Sequence, residues 1–343
     1  MPDNLITAII DGEEFRFWDS INISRNIATF DTFAFGSPYD PDNSLLKSVF
    51  LPLSFKPIEI KIDDELLLSG TVVSIDPSIS DSNTVSISGY AKPGVLNDCS
   101  IPFDKYPIEY NNQTLEQIAQ TIAGFFGLST VFTEKSGAPF ERVAAETGQK
   151  ALGFLIALAK PRGFLISSTA DGSLLFRKAA TAGLTTTLKE GHTPLQSVEP
   201  QISPQQFYSS VTGLAPDILG IDFESVTINN PFMAGINRPF VYKVDVESEG
   251  ADLQKAVKWK AGLMFAGAIK YTASVQGLRD EHGSLWQTNS FINLTSPSAM
   301  INKETTFLIE SVDLNRGDGD SASLSLVLPE SYQGEIPKTL PWL

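Results

Sequence analysis

The sequence is poor in residues that cross-link a chain or ligate metals. Its 343 residues include a single cysteine, Cys99, so no disulfide can form within the chain and a cysteine-rich zinc site is excluded. A reducing compartment is compatible with this cysteine usage. The two histidines, His192 and His282, lie far apart, and nothing near them has the spacing of a zinc site. We expect Cys99 to be a small buried hydrophobe rather than a reactive thiol.

Signal sequences and long apolar runs are also lacking. The N-terminus, MPDNLITAII, has neither a basic start nor a long apolar core. No apolar stretch approaches the ~20 residues that span a bilayer. The sequence therefore predicts neither secretion nor membrane insertion.

Positive charge is scarce. Lysine and arginine number 25 against 40 aspartates and glutamates, which gives a net charge of −15 and a pI of about 4.6. Gripping a phosphate backbone requires clustered basic residues, so the composition disfavours DNA binding but permits a channel that DNA crosses without sticking. Charged residues make up only 19% of the chain, which favours a protein that hides surface against partners. A hydrophobic content of 42% excludes global disorder.

No catalytic motif stands out. The chain has no nucleophile elbow, Walker loop or dinucleotide fingerprint. Asp280-Glu281-His282 places an acid beside a base, but adjacent residues on a turn diverge instead of converging on a substrate. A carboxylate pair for glycoside hydrolysis depends on spatial separation, so the sequence leaves it open. We predict no catalytic residues, no cofactor and no enzyme activity.

One segment near the C-terminus invites two site hypotheses. Oxygen-bearing side chains that could bind calcium stand at Asp313, Asn315, Asp318 and Asp320. Their spacing departs from the EF-hand loop, and Leu324 stands where the closing glutamate would be. The tripeptide Arg316-Gly317-Asp318 matches an integrin ligand, but without a secretion signal we interpret it as a hairpin turn. We assign no metal ligands, and a loose surface calcium site stays open.

Residues 1–92 follow strand periodicity. The alternation predicts a hairpin of residues 5–10 with 14–18 across Asp11-Gly12, a pairing of residues 58–62 with 66–73, and a further strand at 84–90. Short strands with frequent turns predict a small barrel or sandwich. Lys92-Pro93-Gly94 marks the boundary to the next domain.

The next segment switches to alternating helices and strands. Thr114 and Gln117 form a capping box before an apolar stripe that ends at Gly127. A second helix begins near Thr147 and ends at Pro161. Residues 128–132, 164–166 and 174–176 are predicted strands, the last two forming a hairpin.

The stretch from 252 to 289 changes period midway. Ala256, Trp259, Leu263 and Ala266 have helical spacing, whereas the residues from Tyr271 onward alternate as in a strand. Such a helix cannot bury its apolar face alone, so we interpret the stretch as an insertion within a β domain. Strands of that domain are predicted at 206–213, 223–228, 240–247, 305–315 and 321–328. Residues 183–204, rich in Thr, Pro and Gln, are predicted to be a linker or an outer edge.

Two stretches resemble a known family. They are "GVLNDCSIP" at residues 94–102 and a pattern formed by Gly283, Leu285, Trp286, Asn289, Leu308, Ile309, Ser311 and Val312. Together they resemble the baseplate hub proteins of contractile-tailed phages, above all the Mu-like tail proteins, and are similar to the T-even phage hub and the phage late control D family.

This resemblance implies the fold. It implies a mixed, β-rich α+β chain with two small antiparallel, tail-tube-like β-barrels and two α/β accessory domains. The expected division is 1–92 for the first barrel, 93–182 for an α+β domain, 183–248 with 303–330 for the second barrel, 249–302 for an inserted helix-strand domain and 331–343 for an extended tail.

The resemblance also implies a function. A homotrimeric ring with two barrels per subunit would adapt the sixfold tail tube to the threefold central spike, with genomic DNA passing through the lumen without specific binding. The expected partners are the tail tube protein, the spike and other baseplate proteins. The expected location is the virion tail, after synthesis in the host cytoplasm. A separate spike is expected because no spike follows Leu343. The alternatives are a tail-associated cell-wall hydrolase and a carbohydrate-binding module.

Overall fold

A 13-stranded sheet built from both ends of the chain organises the structure. The computed structural model describes residues 4–16, 18–79, 83–183, 185–216, 223–244, 251–317 and 319–343. Within these ranges three smaller sheets lie outside the main sheet, and helices pack between them. The predicted β-rich α+β class is confirmed.

The N-terminal part of the sheet carries one short helix, α1 (Ser44–Val49). Its strands are β1 (Ile6–Ile10), β2 (Glu13–Phe15), β3 (Ser20–Asn26), β4 (Thr32–Pro38), β5 (Pro57–Ile62), β6 (Glu65–Ser78) and β7 (Thr84–Ala91). The predicted hairpin is β1 with β2, and β5 pairs antiparallel with β6 as expected. We call β1 and β3–β7 the N-terminal β unit, whose strands lie in the order β3-β4-β7-β6-β5-β1.

The second domain follows at once. Its elements are α2 (Val95–Asp98), β8 (Glu109–Gln113), α3 (Leu115–Gly124), β9 (Thr130–Phe132), β10 (Phe140–Ala144), α4 (Ala151–Ala159), β11 (Leu165–Ser168) and β12 (Leu174–Arg177). The capping box is confirmed, because the Thr114 and Gln117 side chains each bond the other residue's backbone N–H. The prediction for Cys99 is wrong. Its thiol is exposed, because Leu96 and Ile101 on either side fill the buried positions.

The C-terminal part of the main sheet begins where the sequence predicts a linker or an outer edge. Its strands are β13 (Thr185–Lys189), β14 (Leu195–Ile202), β18 (Ile269–Gln276), β19 (Phe291–Ser296), β20 (Ile301–Arg316) and β21 (Asp320–Val327), and between them the chain forms β15 (Ser210–Pro216), β16 (Phe223–Asn229) and β17 (Pro239–Lys243). β13 is a strand with a buried face at Thr186 and Leu188, so the linker alternative is wrong there. β14 is the outermost strand of the sheet path, as the edge alternative predicted.

β15, β16 and β17 form a sheet of their own, with β15 in the middle. The sequence groups them with the strands at 305–328, but none of their pairings reaches the main sheet. Helix α5 (Ala251–Ala268) packs on this small sheet. A Cβ at Gly213 would lie 2.3 Å from Val257, so glycine is what allows the close approach.

Helix α5 is buried on more than the one face that its predicted stripe marks. Leu253, Val257 and Phe265 join the large core shared by both ends of the sheet, whereas Trp259 and Ala266 join a second cluster with Tyr332. Tyr332 lies in α6 (Glu330–Gln333), so the predicted extended tail begins with a helical turn. The residues predicted as an insertion contribute β18 and β19 to the main sheet, where they pair with β14, β21, β13 and β20.

The two ends of the main sheet repeat one topology. We call β13, β14 and β18–β21 the C-terminal β unit, whose strands lie in the order β14-β18-β21-β20-β19-β13. Each of its strands has a counterpart in the N-terminal β unit, in the same chain order and at the same place in the sheet. β13, β14, β18, β19, β20 and β21 correspond to β1, β3, β4, β5, β6 and β7, respectively. Even a bulge recurs, since the register shifts by one residue before Ser74 pairs with Ser88 and before Ser311 pairs with Ser325. The units differ at β13, which pairs parallel with β19, whereas β1 is antiparallel to β5.

Candidate functional site

A strand junction joins the two β units into one sheet. The C-terminal half of β20 pairs antiparallel with β3, so that Asn315 lies opposite Asn22 and Leu314 opposite Ile23. The Asn22 Nδ2 donates a hydrogen bond of 2.7 Å to the Asn315 Oδ1. Leu314 and Ile23 are buried in the core on the opposite side. The sheet therefore keeps one apolar and one polar side across the junction.

The polar side runs over eight strands, β14, β18, β21, β20, β3, β4, β7 and β6. Its side chains alternate with the core residues and are mostly small and hydroxyl-bearing. We call this set the hydroxyl face; its members are Ser20, Asn22, Ser24, Thr32, Ala34, Gly36, Ser74, Asp76, Ser78, Thr84, Ser86, Ser88, Ser197, Glu199, Gln201, Lys270, Thr272, Ser274, Gln276, Ser311, Asp313, Asn315, Ser321, Ser323 and Ser325.

The hydroxyl face is concave at the end near the β20–β21 turn. A hollow of about 800 Å³ there is lined by residues of successive strands. Gln196 on β14 and Ser86 on β7 both line it, although five strands lie between them. A flat sheet would place such strands far apart, because neighbouring strands are spaced by about 4.8 Å.

Charge on the hydroxyl face is low and mainly negative. Its carboxylates are Asp76, Glu199 and Asp313, and its one ammonium group is that of Lys270. Asp313 accepts a hydrogen bond from the Ser24 hydroxyl, and Lys270 is paired with Glu310. A surface of hydroxyls and paired or negative charges offers a phosphate backbone little to bind.

Glu310 anchors the far end of this face. It is the extra residue of the β20 bulge and is 8% exposed. Its carboxylate accepts hydrogen bonds from the Ser325 hydroxyl at 3.0 Å and the Tyr332 hydroxyl at 2.7 Å, besides the ion pair with Lys270. Burial, and then the Glu310 charge, raises the pKa of the Tyr332 hydroxyl well above its usual range. The bulge is thus held by side chains from three elements.

The loop at 277–290 ties the two β units together at the opposite end of β18. The Arg279 Nε donates to the Asn4 Oδ1 at 2.9 Å, and its Nη2 donates to the Asp63 Oδ2 at 3.1 Å. Trp286 is 2% exposed, and its backbone N–H donates to the Leu278 carbonyl. Trp286 belongs to the large core, whereas Trp259 belongs to another cluster.

Asn289, the last residue of the family-like pattern in this loop, adopts a left-handed conformation with φ of 64°. Asparagine tolerates this region better than most residues. Its Oδ1 accepts from the Ala180 N–H at 2.7 Å, and its Nδ2 donates to the Lys178 carbonyl at 3.2 Å. The side chain therefore fixes the exit of the second domain to the main sheet.

A buried charge cluster completes that joint. Asp31 is 3% exposed and accepts from the Arg25 Nε at 3.2 Å, and its backbone N–H donates to the Ser168 hydroxyl. Burial raises the pKa of the Asp31 carboxyl, although the positive charges of Arg25 and Arg177 act to lower it. Burial also lowers the pKa of Arg177 to about 10, and this guanidinium donates to the Thr288 hydroxyl at 2.9 Å. Sequence reasoning missed this cluster, because its members come from three separate parts of the chain.

The remaining sequence-derived candidates do not converge. The His192 Nδ1 lies 3.1 Å from the backbone carbonyl oxygen of Glu190. The His282 Nε2 lies 3.8 Å from the Glu281 Oε1. Asp313 and Asn315 are engaged with β3, and Asp320 pairs with Arg316. Asp318 lies outside the described residues. Within the described ranges no group of acidic, histidine or cysteine side chains is arranged to hold a metal ion.

Arg316 of the integrin-like tripeptide pairs with Asp320 across the β20–β21 connection, where the sequence predicts a hairpin turn. No described helix combines the length and the apolar character needed to cross a membrane.

The resemblance predicted from the sequence is confirmed by comparison with known proteins. Residues 93–178 match the family described as "Baseplate hub protein gp44-like, second domain". This segment therefore resembles the second domain of a baseplate hub protein.

Individual relatives extend the similarity beyond the second domain. The chain is 24% identical to the baseplate hub protein gp44 of Escherichia phage Mu, over 96% of this chain and 89% of that protein. The 43 kDa tail protein of prophage MuSo2 from Shewanella oneidensis has a similar structure, with a TM-score of 0.81, 24% identity and coverage of 95% of this chain and 98% of that one. The tail protein from Neisseria meningitidis MC58 has a TM-score of 0.81, 20% identity and coverage of 97% and 99%.

Proposed function

We propose that this protein is a structural baseplate hub that forms a homotrimeric ring with a central channel. The observation that carries the proposal is the repeated topology: one chain presents two β units of the same strand order in one continuous sheet. Three such chains would present six similar units. The sixfold tail tube on one side and the threefold spike on the other could then both bind the ring in register.

The hydroxyl face is the proposed channel wall. Because it is concave and bears few positive charges, it suits a surface past which DNA slides. The net charge of −15 acts in the same direction. The proposed role depends on the shape of the ring and on pairing between subunits. It requires no catalysis, so we assign no catalytic residues, no metal ligands and no cofactor.

The domain division follows from this proposal. We assign residues 1–92 to the first tail-tube-like barrel and 93–182 to an α+β domain outside the ring. The second barrel combines the main-sheet strands of the expected segments 183–248 and 303–330 with β18 and β19 from the expected insertion at 249–302, whose helix α5 packs outside the ring. The small sheet of β15–β17 also lies outside the channel in this arrangement. The tail tube, the central spike and other baseplate proteins are the proposed partners, in a contractile virion tail.

The molar mass in solution tests the ring. Three chains of 37.2 kDa would give about 112 kDa, and a permanent ring should bury on the order of 2,000 Å² or more per contact. We expect light scattering coupled to size exclusion to give the trimer mass, and electron micrographs to show rings with a central hole. A stable monomer or dimer at all concentrations, with no rings even when a spike protein is added, would overturn the proposed function.

A further inference from the structure

Among the described residues, two strand edges have no neighbouring strand, and both are equivalent to edges that pair at the β20–β3 junction.

The first open edge belongs to β6. β5 pairs with β6 only as far as Thr71, and β7 covers the other side of the strand from Gly70 to Ser78. In the C-terminal β unit, β19 likewise covers only the first half of β20, and β3 occupies the edge beyond it. No strand of the described part of the chain occupies the matching edge of β6. The N-terminal β unit therefore lacks the neighbour that its counterpart has.

The second open edge belongs to β14. Within the described ranges β14 pairs only with β18, whereas its counterpart β3 pairs with both β4 and β20. The edge of β20 is paired with β3 within the chain. The equivalent edges of β6 and β14 have no partner strand among the described residues. We infer that the open edge of β6 pairs antiparallel with β14 of a neighbouring copy of this chain, which repeats the β20–β3 junction between subunits. This inference rests on the proposed ring.

The repeat fixes the register of this pairing. The bulges of β6 and β20 precede Ser74 and Ser311, so these two serines are equivalent. Ser78 and Asn315 each lie four residues further on and therefore correspond to each other. Ser20 on β3 pairs with β4 at the position where Ser197 on β14 pairs with β18, so Ser20 and Ser197 are equivalent. Asn22 and Glu199 each lie two residues further on and therefore correspond to each other. Asn315 lies opposite Asn22 within the chain, so Ser78 lies opposite Glu199 of the next subunit.

The two faces of the sheet match in this register. Asp76 and Ser78 continue the hydroxyl face into Gln201 and Glu199 of the neighbour. On the apolar side, Ile79 is 89% exposed and Ile202 is 45% exposed in the single chain. A one-residue slip would place these side chains against polar ones, because successive residues of a strand point to opposite faces. The junction therefore buries isoleucines that the isolated chain leaves in water.

Each open edge also contains one proline. Proline contributes no N–H to a ladder and discourages pairing with unrelated strands. In the copied register Pro77 lies opposite Pro200 of the neighbour, so the two residues that lack a donor face each other. With eight strands from each chain, three copies would close a cylinder of twenty-four strands.

Engineered disulfides test the register. Directly opposed residues of an antiparallel pair have Cα atoms about 4.5–5.5 Å apart, within the range of about 4.4–6.8 Å that a disulfide spans. In a Cys99→Ser background, Ser78→Cys with Glu199→Cys should oxidise to covalent dimers and trimers on a non-reducing gel. Ser74→Cys with Glu199→Cys is the matched control, since it displaces one thiol by about 13 Å along the same strand. Asn22→Cys with Asn315→Cys reports oxidation at the internal junction, where the link stays within one chain.

The possible results separate the inference from the ring itself. Covalent trimers from the Ser78 pair and none from the Ser74 pair support the register. A trimer by light scattering that does not cross-link through the Ser78 pair, while the internal control oxidises, overturns this junction and leaves the ring standing. A monomer under all conditions overturns both.

A second variant tests the apolar side of the junction. Ile79→Asp combined with Ile202→Asp alters side chains that are exposed in the single chain, so its circular dichroism should match that of the unaltered protein. The mass should fall from about 112 kDa to the 37.2 kDa of one chain. Ile236→Asp is the control, because Ile236 is 52% exposed and lies away from both edges. A double variant that stays trimeric would contradict the inferred junction.

Discussion

Replacing Trp286 with alanine should strongly destabilise the large core and with it the joint between the two β units. The side chain is 2% exposed, and its loop carries Arg279, which reaches Asn4 and Asp63. An aromatic side chain buries about 150–250 Å², which at about 25 cal/mol per Å² corresponds to about 4–6 kcal/mol. Burial already present in the unfolded chain lowers this by roughly 10–40%. We therefore expect a loss of about 3–5 kcal/mol, the range found for large aromatic-to-alanine changes in cores.

Trp286→Phe is the matched variant. The indole N–H of Trp286 is buried and has no hydrogen-bond acceptor among the described residues. Replacing the indole with a phenyl ring removes part of the buried apolar area, which is destabilising. It also removes the unsatisfied N–H donor, and a buried donor without an acceptor costs about 1–3 kcal/mol. The two effects oppose each other, so we expect Trp286→Phe to lose no more than about 2 kcal/mol.

Urea unfolding followed by circular dichroism measures both changes. Ile236→Ala, at a half-exposed position, sets the scatter of the assay. Because the chain has several domains, the transition that includes the main sheet is the one to compare. A Trp286→Ala protein with an unchanged midpoint, or a Trp286→Phe protein as damaged as Trp286→Ala, would refute the reasoning.

Two further outcomes follow from the hydroxyl face and from the loop at 277–290. The purified protein should not retain duplex DNA in a gel-shift assay at moderate salt, whereas Ser86→Lys combined with Ser323→Lys should produce salt-sensitive retention, since it adds cations to the face; tight binding by the unaltered protein would contradict a neutral or negative wall. Arg279→Ala should lower the urea stability by about 1–3 kcal/mol, because it leaves the partly buried Asp63 carboxylate without its arginine. An unchanged urea midpoint would show that this bridge does not hold the units together.

Local patterns in the sequence were enough to predict many of the elements. The hairpin of β1 and β2 follows from alternation around Asp11-Gly12, and helix α3 follows from the capping box and its apolar stripe. Such features are decided by neighbours within a few residues, which is why periodicity and turn chemistry reveal them. The family-like pattern from Gly283 to Asn289 also marked residues with structural roles, since Trp286 is buried and Asn289 holds the second-domain exit.

Partnership between distant strands was decided only by the tertiary structure. Alternation shows that one side of a strand is polar, but it does not show which strand lies beside it. β3 and β20 are almost 300 residues apart, and their pairing is what joins the hydroxyl face into one surface. The same holds for β13, whose threonine-rich sequence resembles a linker until β19 pairs with it. The sequence alone determined the local strands, the capped helix and the family resemblance, whereas the junction, the continuous face and the open edges came from register and packing, which no local stretch encodes.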